Sequence, residues 1–138
     1  MGAWDATIFG NDTACDWAYG LEAVDDLSLI EQTLQAALDV GEEYLDASEA
    51  EEALAAAEVV AGLLGRWGVR SAYTEPAEAW VQRVQLKPSQ ELTHKAVQAA
   101  DRVLAEPSEL LELWAEADAE DFAAWKGHVD DLKKRLVA

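Results

Sequence analysis

Apolar residues recur every three or four positions along most of this 138-residue chain, which is the spacing of one face of an α-helix. The clearest stripe is Phe122, Trp125, Val129, Leu132 and Leu136, with steps of three and four. Comparable stripes run along five earlier segments, residues 12–24, 28–40, 46–64, 88–104 and 107–117. The pattern predicts an all-α fold of five to seven packed helices.

Residues that cap helix N-termini stand at the start of these segments, because their side-chain oxygens can accept the unpaired N–H groups of the first turn. Ser28 and Glu31 have the spacing of a capping box. The other predicted starts are Asn11 or Asp12, Asp46 with Glu49 or Ser48 with Glu51, Pro88 with Ser89, and Pro107 with Ser108. Gly41 and Gly65 are predicted to end the second and third helices.

Two parts of the chain lack this regularity. Residues 1–10 are expected to form an irregular lead-in, anchored by Trp4, Ile8 and Phe9. Residues 66–79 contain Gly68 and Pro76, with a possible short extended segment near 69–73 and a short helix or turn over 80–84. The length suits one domain, so residues 1–138 are predicted to form a single acidic helical domain.

Charge is distributed unevenly along the sequence. The chain has 28 Asp and Glu against 10 Lys and Arg, a net charge of −18, and residues 1–65 contain 15 carboxylates but no Lys or Arg. Nucleic-acid binding is disfavoured because phosphate recognition depends on clustered Lys and Arg. Anionic membrane surfaces are disfavoured for the same reason. The asymmetry predicts that the N-terminal half presents a negative face.

The composition also bears on the compartment. Hydrophobic residues make up 51% of the chain and six residues are Trp, so the acidity belongs to a folded protein and not to a disordered tail. No run of about 18 apolar residues suggests a membrane span, and the start lacks the order of a signal peptide. Cys15 is the single cysteine, which is compatible with a reducing compartment. A cytoplasmic location is expected.

Three stretches of the sequence resemble a known family. The first is Met1-Gly2-Ala3-Trp4 continuing through Phe9-Gly10-Asn11-Asp12-Thr13-Ala14-Cys15-Asp16-Trp17, and the others are residues 44–53 and residues 101–114. Together they are similar to a bacterial family of small proteins catalogued as domain of unknown function 4259. This family usually has glycines where Asp5 and Thr7 stand here. The resemblance implies no established activity, cofactor or catalytic residues.

The sequence contains no complete motif for a catalytic or metal site. Glu91 and His94 have the spacing of one half of a di-iron site, but His128 has Trp125 where the second half needs a glutamate. Cys15 has no nearby positive charge to stabilise a thiolate, so we interpret it as a small core residue. The sequence also lacks the common zinc, acyl-transfer and nucleotide motifs. We therefore predict no metal, no cofactor and no catalytic activity.

The most unusual local feature is a run of carboxylates. The candidate partner-binding residues are Glu42, Glu43, Asp46, Glu49, Glu51, Glu52 and Glu58. One interpretation is a solvated face that keeps the protein soluble. The other is a surface that binds a basic protein, because a lopsided field steers association. The second interpretation leads to the hypothesis of an immunity or inhibitor protein acting on a basic toxin or nuclease.

Two further hypotheses use other features. The segment from Arg66 to Trp80 combines charge and aromatic rings, so Arg66, Arg70, Tyr73 and Trp80 are candidate contacts of a small-ligand receptor or enzyme. Of the six tryptophans, Trp67 and Trp80 are predicted to be exposed, whereas Trp17, Trp114 and Trp125 are predicted to be in the core. A third hypothesis is a structural module of an assembly. The oligomeric state stays open.

Overall fold

The computed structural model describes residues 4–138, which form seven α-helices and no strand. The helices are α1 (Asp12–Gly20), α2 (Ser28–Asp39), α3 (Ala47–Leu63), α4 (Glu75–Val84), α5 (Gln90–Val103), α6 (Glu109–Ala115) and α7 (Ala119–Val137), with a 3-10 turn at Leu21–Ala23. The all-α prediction is confirmed. Helix α3 is central, because all six other α-helices pack against it.

Helix α3 is buried on every side over residues 53–62. Most of these residues are Ala, Gly or Val, and small side chains let neighbouring helices come close from several directions. After the helix ends, the chain turns back and lays the indole ring of Trp67 on Gly62. A Cβ atom at Gly62 would lie 2.4 Å from that ring, so only glycine fits there.

The local signals for helix ends are largely confirmed. Asn11 accepts the N–H of Ala14 at 2.8 Å, and Asp46 accepts the N–H of Glu49 at 2.9 Å. Ser89 and Ser108 likewise cap α5 and α6. Gly65 has φ of 78°, a left-handed conformation that terminates α3.

The prediction of a capping box at Ser28 is wrong. The hydroxyl and the N–H of Ser28 both donate to the Asp26 carboxylate, at 2.6 and 3.1 Å, so Ser28 is bound by a residue that precedes the helix. Helix α2 nevertheless begins at Ser28 as expected. The carboxylate of Asp26 competes successfully for the serine because it lies two residues away in a turn.

The segment before α4 is a turn and not an extended strand. Residues 69–73 contain a bend at Val69 and a turn that leads into α4, so the predicted extended segment is wrong. The Thr74 side chain accepts the N–H of Ser71 and donates to its carbonyl, which closes that turn. Helix α4 begins at Glu75, with Pro76 in its first turn, and includes the short helix expected over 80–84.

Three tryptophans predicted for the core are there. Trp17, Trp114 and Trp125 are all buried, and the rings of Trp114 and Trp125 stack with centroids 5.9 Å apart. The indole N–H of Trp17 donates to the hydroxyl of Thr33 on α2 at 2.9 Å, so its polar end is satisfied. Within residues 4–138, no helix is both long and apolar enough to cross a bilayer.

Arg102, in the last turn of α5, joins two loops. Its guanidinium donates to the backbone carbonyls of Gly41 at 3.0 Å, Glu43 at 2.7 Å, Ala105 at 2.7 Å and Pro107 at 2.9 Å. The loop before α3 and the loop before α6 are thereby held together. A single β-bridge between Leu45 and Ser108 completes this junction.

We expect Arg102→Lys to lower the free energy of unfolding by about 2 kcal/mol, because an ammonium cannot reach four carbonyls in these directions. Urea unfolding measures the change. The control is Arg70→Lys, at an arginine whose side chain is 62% exposed and paired with Glu78 alone. It should cost less than about 0.5 kcal/mol. Equal losses for the two variants would contradict the role given to Arg102.

Candidate functional site

Glu58 does not belong to an exposed acidic surface. It lies in the buried part of α3 with 3% of its surface exposed. Its carboxylate accepts hydrogen bonds from both terminal nitrogens of Arg135, at 2.7 and 2.9 Å, and from the N–H of Gly68 at 2.9 Å. The expectation that a partner binds Glu58 is therefore wrong for this fold.

Arg135 brings α7 back onto α3 and onto the chain that follows it. Besides Glu58, it donates to the carbonyl of Arg66 at 2.8 Å, while Arg66 donates to the carbonyl of Arg135 at 3.2 Å. Burial alone would lower the pKa of Arg135, but the hydrogen bonds and charges of Glu58 and then Asp131 raise it. The guanidinium therefore stays charged and holds the Glu58 carboxylate as its counter-ion.

The remaining candidate acids differ in exposure. We call the six residues other than Glu58 the loop–α3 acids: Glu42, Glu43, Asp46, Glu49, Glu51 and Glu52. The first three are exposed, in the loop before α3, whereas the last three are half-buried in its first two turns. Asp46 also caps α3, so its carboxylate has a structural role as well. The accessible charge of these six residues therefore lies in the loop before α3 and in the first two turns of that helix.

Two of the loop–α3 acids are held in less polar surroundings. Burial raises the pKa of Glu51, a hydrogen bond with Thr13 partly offsets this rise, and the charge of Asp12 adds a smaller increase. Burial also raises the pKa of Glu52, and the charges of Glu49 and Asp46 add to the effect. Charge at the start of α3 is therefore crowded, and a bound cation would relieve that repulsion.

A second acidic group lies across the junction held by Arg102. The hydroxyl of Tyr44 donates to Glu112 at 3.1 Å. Partial loss of water, this hydrogen bond and the charge of nearby carboxylates raise the pKa of Tyr44 to about 12. The pKa of Glu106 is also raised, by loss of water and then by its hydrogen bond with Glu112. Tyr44 follows directly on Glu43, so this group extends the acidic end of α3.

The four candidate ligand contacts in the segment 66–80 do not form one site. Trp80 is buried and donates its indole N–H to the carbonyl of Val24 at 2.9 Å, so the expectation of an exposed Trp80 is wrong. Arg66 is joined to α7 as described, and Arg70 pairs with Glu78 at 3.2 Å. Tyr73 is exposed, and its ring contacts Trp4 instead of the other three candidate residues.

Tyr73 lies against Trp4 of the lead-in, with ring centroids 4.9 Å apart and planes tilted by 38°. The two rings form one wall of a cleft of about 250 Å³, which we call the aromatic cleft. Its lining residues are Trp4, Asp12, Cys15, Asp16, Tyr19, Ala72, Tyr73 and Pro76. The cleft combines exposed rings with two carboxylates on α1, a combination that attracts cations.

Cys15 lies between the two carboxylates of this cleft. Burial raises the pKa of its thiol, and the charges of Asp16 and Asp12 raise it further. Its Sγ lies 3.4 Å from the carbonyl of Phe9, which it can reach as a donor. The thiol therefore stays protonated at neutral pH, as expected of a cysteine without a nearby cation.

The sequence pattern alone predicts some features of these sites and not others. Ala77, Trp80, Val81 and Val84 lie on one face of α4, and their spacing alone indicates a buried Trp80. The approach of Trp4 to Tyr73 joins residues 69 positions apart, and no local pattern marks it. Glu91 and His94 are exposed on α5, and within residues 4–138 no three potential ligands are grouped to hold a metal ion.

We expect Glu58→Gln to lower the free energy of unfolding by about 3 kcal/mol, because it leaves the partly buried guanidinium of Arg135 with the exposed Asp131 as its one remaining counter-ion in the described part of the chain. Chemical unfolding at neutral pH measures the loss. Asp131→Asn removes the other carboxylate that contacts Arg135, at 2.7 Å, but the Asp131 side chain is 57% exposed. It should cost less than about 1 kcal/mol. A larger loss for the Asp131 variant would overturn this ranking.

We expect Glu52→Gln to raise the free energy of unfolding at pH 7, because the folded state raises the pKa of Glu52. A raised pKa means that protonation stabilises the fold at low pH and that this stabilisation is lost as the pH rises through the folded-state pKa. The advantage of the variant should therefore shrink as the pH falls through the raised folded-state pKa and vanish below the ordinary pKa of about 4.3. Thermal unfolding from pH 3 to pH 8 tests this. Glu42→Gln, which removes the same charge from the exposed loop, is the control, and an equal gain in that variant would contradict the prediction.

A comparison with known proteins now gives the family. A family model described as a domain of unknown function (DUF4259) matches residues 2–128, nearly the whole chain. No curated protein and no solved structure gives a significant match. The matched region includes the aromatic cleft, the loop–α3 acids and the junction at Arg102. The chain therefore belongs to the DUF4259 family.

Proposed function

We propose that this protein is a non-catalytic binding domain that recognises a basic protein through the acidic surface of its N-terminal half. The biological role that fits this proposal is that of an immunity or inhibitor protein, which neutralises a basic toxin or nuclease by occupying its cationic site. The proposal rests on the distribution of charge over the N-terminal half.

The observation that carries the proposal is the small number of acids that are neutralised internally. Of the 15 carboxylates in residues 1–65, three have a cation within 4 Å: Asp25 with Arg83, Glu31 with Lys95, and Glu58 with Arg135. The other twelve have no Lys or Arg that close in the described part of the chain. An uncompensated field of this kind accelerates association with a cationic partner.

Several bases of the second half are committed elsewhere. Arg102 is surrounded by four carbonyls, Arg66 donates to the carbonyl of Arg135, and Lys133 pairs with Asp101 within the second half. Arg102 contacts the loop before α3 through backbone carbonyls, and none of these three cations lies within 4 Å of a side-chain carboxylate of the loop–α3 acids. The negative surface is therefore left for a partner to neutralise.

The acidic surface extends beyond α3. Asp12 lies close enough to Glu51 to raise its pKa, and Asp12 also lines the aromatic cleft. The loop–α3 acids and the cleft are thus parts of one region. Such a region, with charge at its border and aromatic side chains within it, has the composition of a protein interface.

Most of the residues proposed as contacts of a small-ligand receptor or enzyme are not free to bind a ligand. Trp80 is buried, and Arg66 and Arg70 make contacts within the chain. Tyr73 keeps an exposed ring, but that ring lines the aromatic cleft and not a site within the segment 66–80. This arrangement supports a binding function over a catalytic one.

We expect the triple variant Glu42→Gln, Glu43→Gln, Asp46→Asn to slow association with the basic partner by at least about fivefold, because steering depends on exposed charge. Asn at position 46 keeps the helix cap. The partner is first recovered from the source organism on immobilised protein at low salt, then purified and measured by surface plasmon resonance at low and high salt. Inhibition of its activity at one-to-one stoichiometry tests the inhibitor role.

The matched control is Glu116→Gln, Glu120→Gln, Asp121→Asn, which removes the same charge from exposed positions near the start of α7. It should change the association rate by less than about twofold if position matters more than net charge. Failure to recover any basic protein that binds with defined stoichiometry and is released by salt would refute the proposal.

A further inference from the structure

Exposed aromatic residues are concentrated at one place. In residues 4–138, four aromatic side chains are largely exposed, and Tyr44 is the one that lies elsewhere. Trp4, Tyr19 and Tyr73, which are 50%, 58% and 37% exposed, all line the aromatic cleft. Large exposed rings are costly to hydrate, so their clustering marks a surface that is covered when a ligand binds.

The wall formed by Trp4 is held in place by the backbone. The N–H of Trp4 donates to the carbonyl of Gly10 at 2.7 Å, and the N–H of Gly10 donates to the carbonyl of Thr7 at 3.1 Å. Asp5 accepts the N–H of Thr7 at 2.9 Å. Residues 4–10 thus form a hydrogen-bonded loop that presents the indole ring of Trp4 against Tyr73, and a ligand need not order this loop.

The chemistry of the cleft favours a cation. Asp12 and Asp16 are four residues apart on α1 and share one face of that helix. Neither has a Lys or Arg within 4 Å in the described part of the chain, and the lining residues include no cation. The faces of Trp and Tyr rings also attract positive charge. Burial and these two carboxylates raise the pKa of the Cys15 thiol, which agrees with a negative potential inside the cleft.

Size and shape favour an arginine side chain. A volume of about 250 Å³ is below the roughly 300–1,000 Å³ of sites that enclose whole small molecules, but it suits one inserted side chain. A guanidinium is flat, so it can stack on an indole and donate two parallel hydrogen bonds to a carboxylate. An ammonium can form the ion pair but cannot stack. The rings therefore add a preference for Arg over Lys.

We propose that the aromatic cleft receives an arginine side chain of the basic protein partner, stacked on Trp4 or Tyr19 and paired with Asp12 or Asp16. This inference rests on the proposed function and assigns it an anchor point. The loop–α3 acids then steer the partner, and the cleft determines which residue of the partner is held.

The first test uses a five-residue peptide with one central arginine, titrated against the full chain and followed by NMR shifts of the tryptophan indole N–H groups. We expect binding in the millimolar range, with shifts at Trp4, at least about threefold weaker binding of the lysine peptide and none of the citrulline peptide. Citrulline has the same shape but no charge. Equal binding of the arginine and citrulline peptides would overturn the inference.

Substitutions then locate the site. Tyr19→Ala and Asp16→Asn, both at exposed positions of α1, should each weaken binding of the arginine peptide by about fivefold. The matched controls are Tyr44→Ala, at the exposed tyrosine outside the cleft, and Glu42→Gln, which removes one charge elsewhere. Because Tyr19 and Asp16 are exposed, these variants are expected to fold. Equal losses in the variants and their controls would overturn the inference.

The two proposals fail in different ways. If the purified partner still depends on the loop–α3 acids but binds Asp12→Asn, Asp16→Asn and Tyr19→Ala proteins normally, the cleft is not the anchor and the proposed function stands. If no basic protein binds but the arginine peptide does, the proposed function fails. If free arginine binds more tightly than the peptide, the inference of a protein partner is overturned, and the cleft is that of a small-ligand receptor.

Discussion

The enclosure of α3 is the constraint on which the rest of this structure depends. A helix surrounded by neighbours must present small side chains on every face, and the run of alanines and valines from residue 53 to residue 62 meets that requirement. The same enclosure makes one polar residue critical. Glu58 lies in the middle of this run, so its charge must be matched inside the protein, and Arg135 of α7 matches it with two hydrogen bonds. The position of α7 is thereby coupled to that of α3.

Local features of the fold could be predicted from the sequence, whereas features that join distant residues could not. Asn11, Asp46, Ser89 and Ser108 act as caps because capping involves residues only two or three positions apart. Ser28 was predicted to begin a capping box, but a competing carboxylate two residues earlier binds it instead. The stripe along α3 predicts a buried face and its many alanines permit close helix approach, and in the structure all residues from 53 to 62 are buried. No local sequence feature distinguishes Glu58 from its more exposed acidic neighbours, because its counter-ion is 77 residues away.

The candidate site shows the same division. Charge asymmetry, the main signal in the sequence, predicts an acidic surface on the N-terminal half, and the loop–α3 acids lie at an accessible end of α3. The aromatic cleft has no comparable signal. Trp4 comes from the irregular lead-in before α1 and Tyr73 from the turn before α4, and their rings are brought together because α1 packs against α4. A sequence shows that aromatic residues are present but not which of them remain exposed together. That selection is made by packing.

The pairing of Glu58 with Arg135 also affects the order in which a ribosome-bound chain can become structured. When α1, α2 and α3 have been synthesised, the nascent segment contains 15 carboxylates and not one Lys or Arg. At that stage the Arg135 guanidinium is absent, so enclosing α3 would either bury the Glu58 carboxylate without its counter-ion or force it to bind a proton. The guanidinium arrives 77 residues later. The ion pair that lets α3 be enclosed with Glu58 charged can therefore form only after α7 has been synthesised.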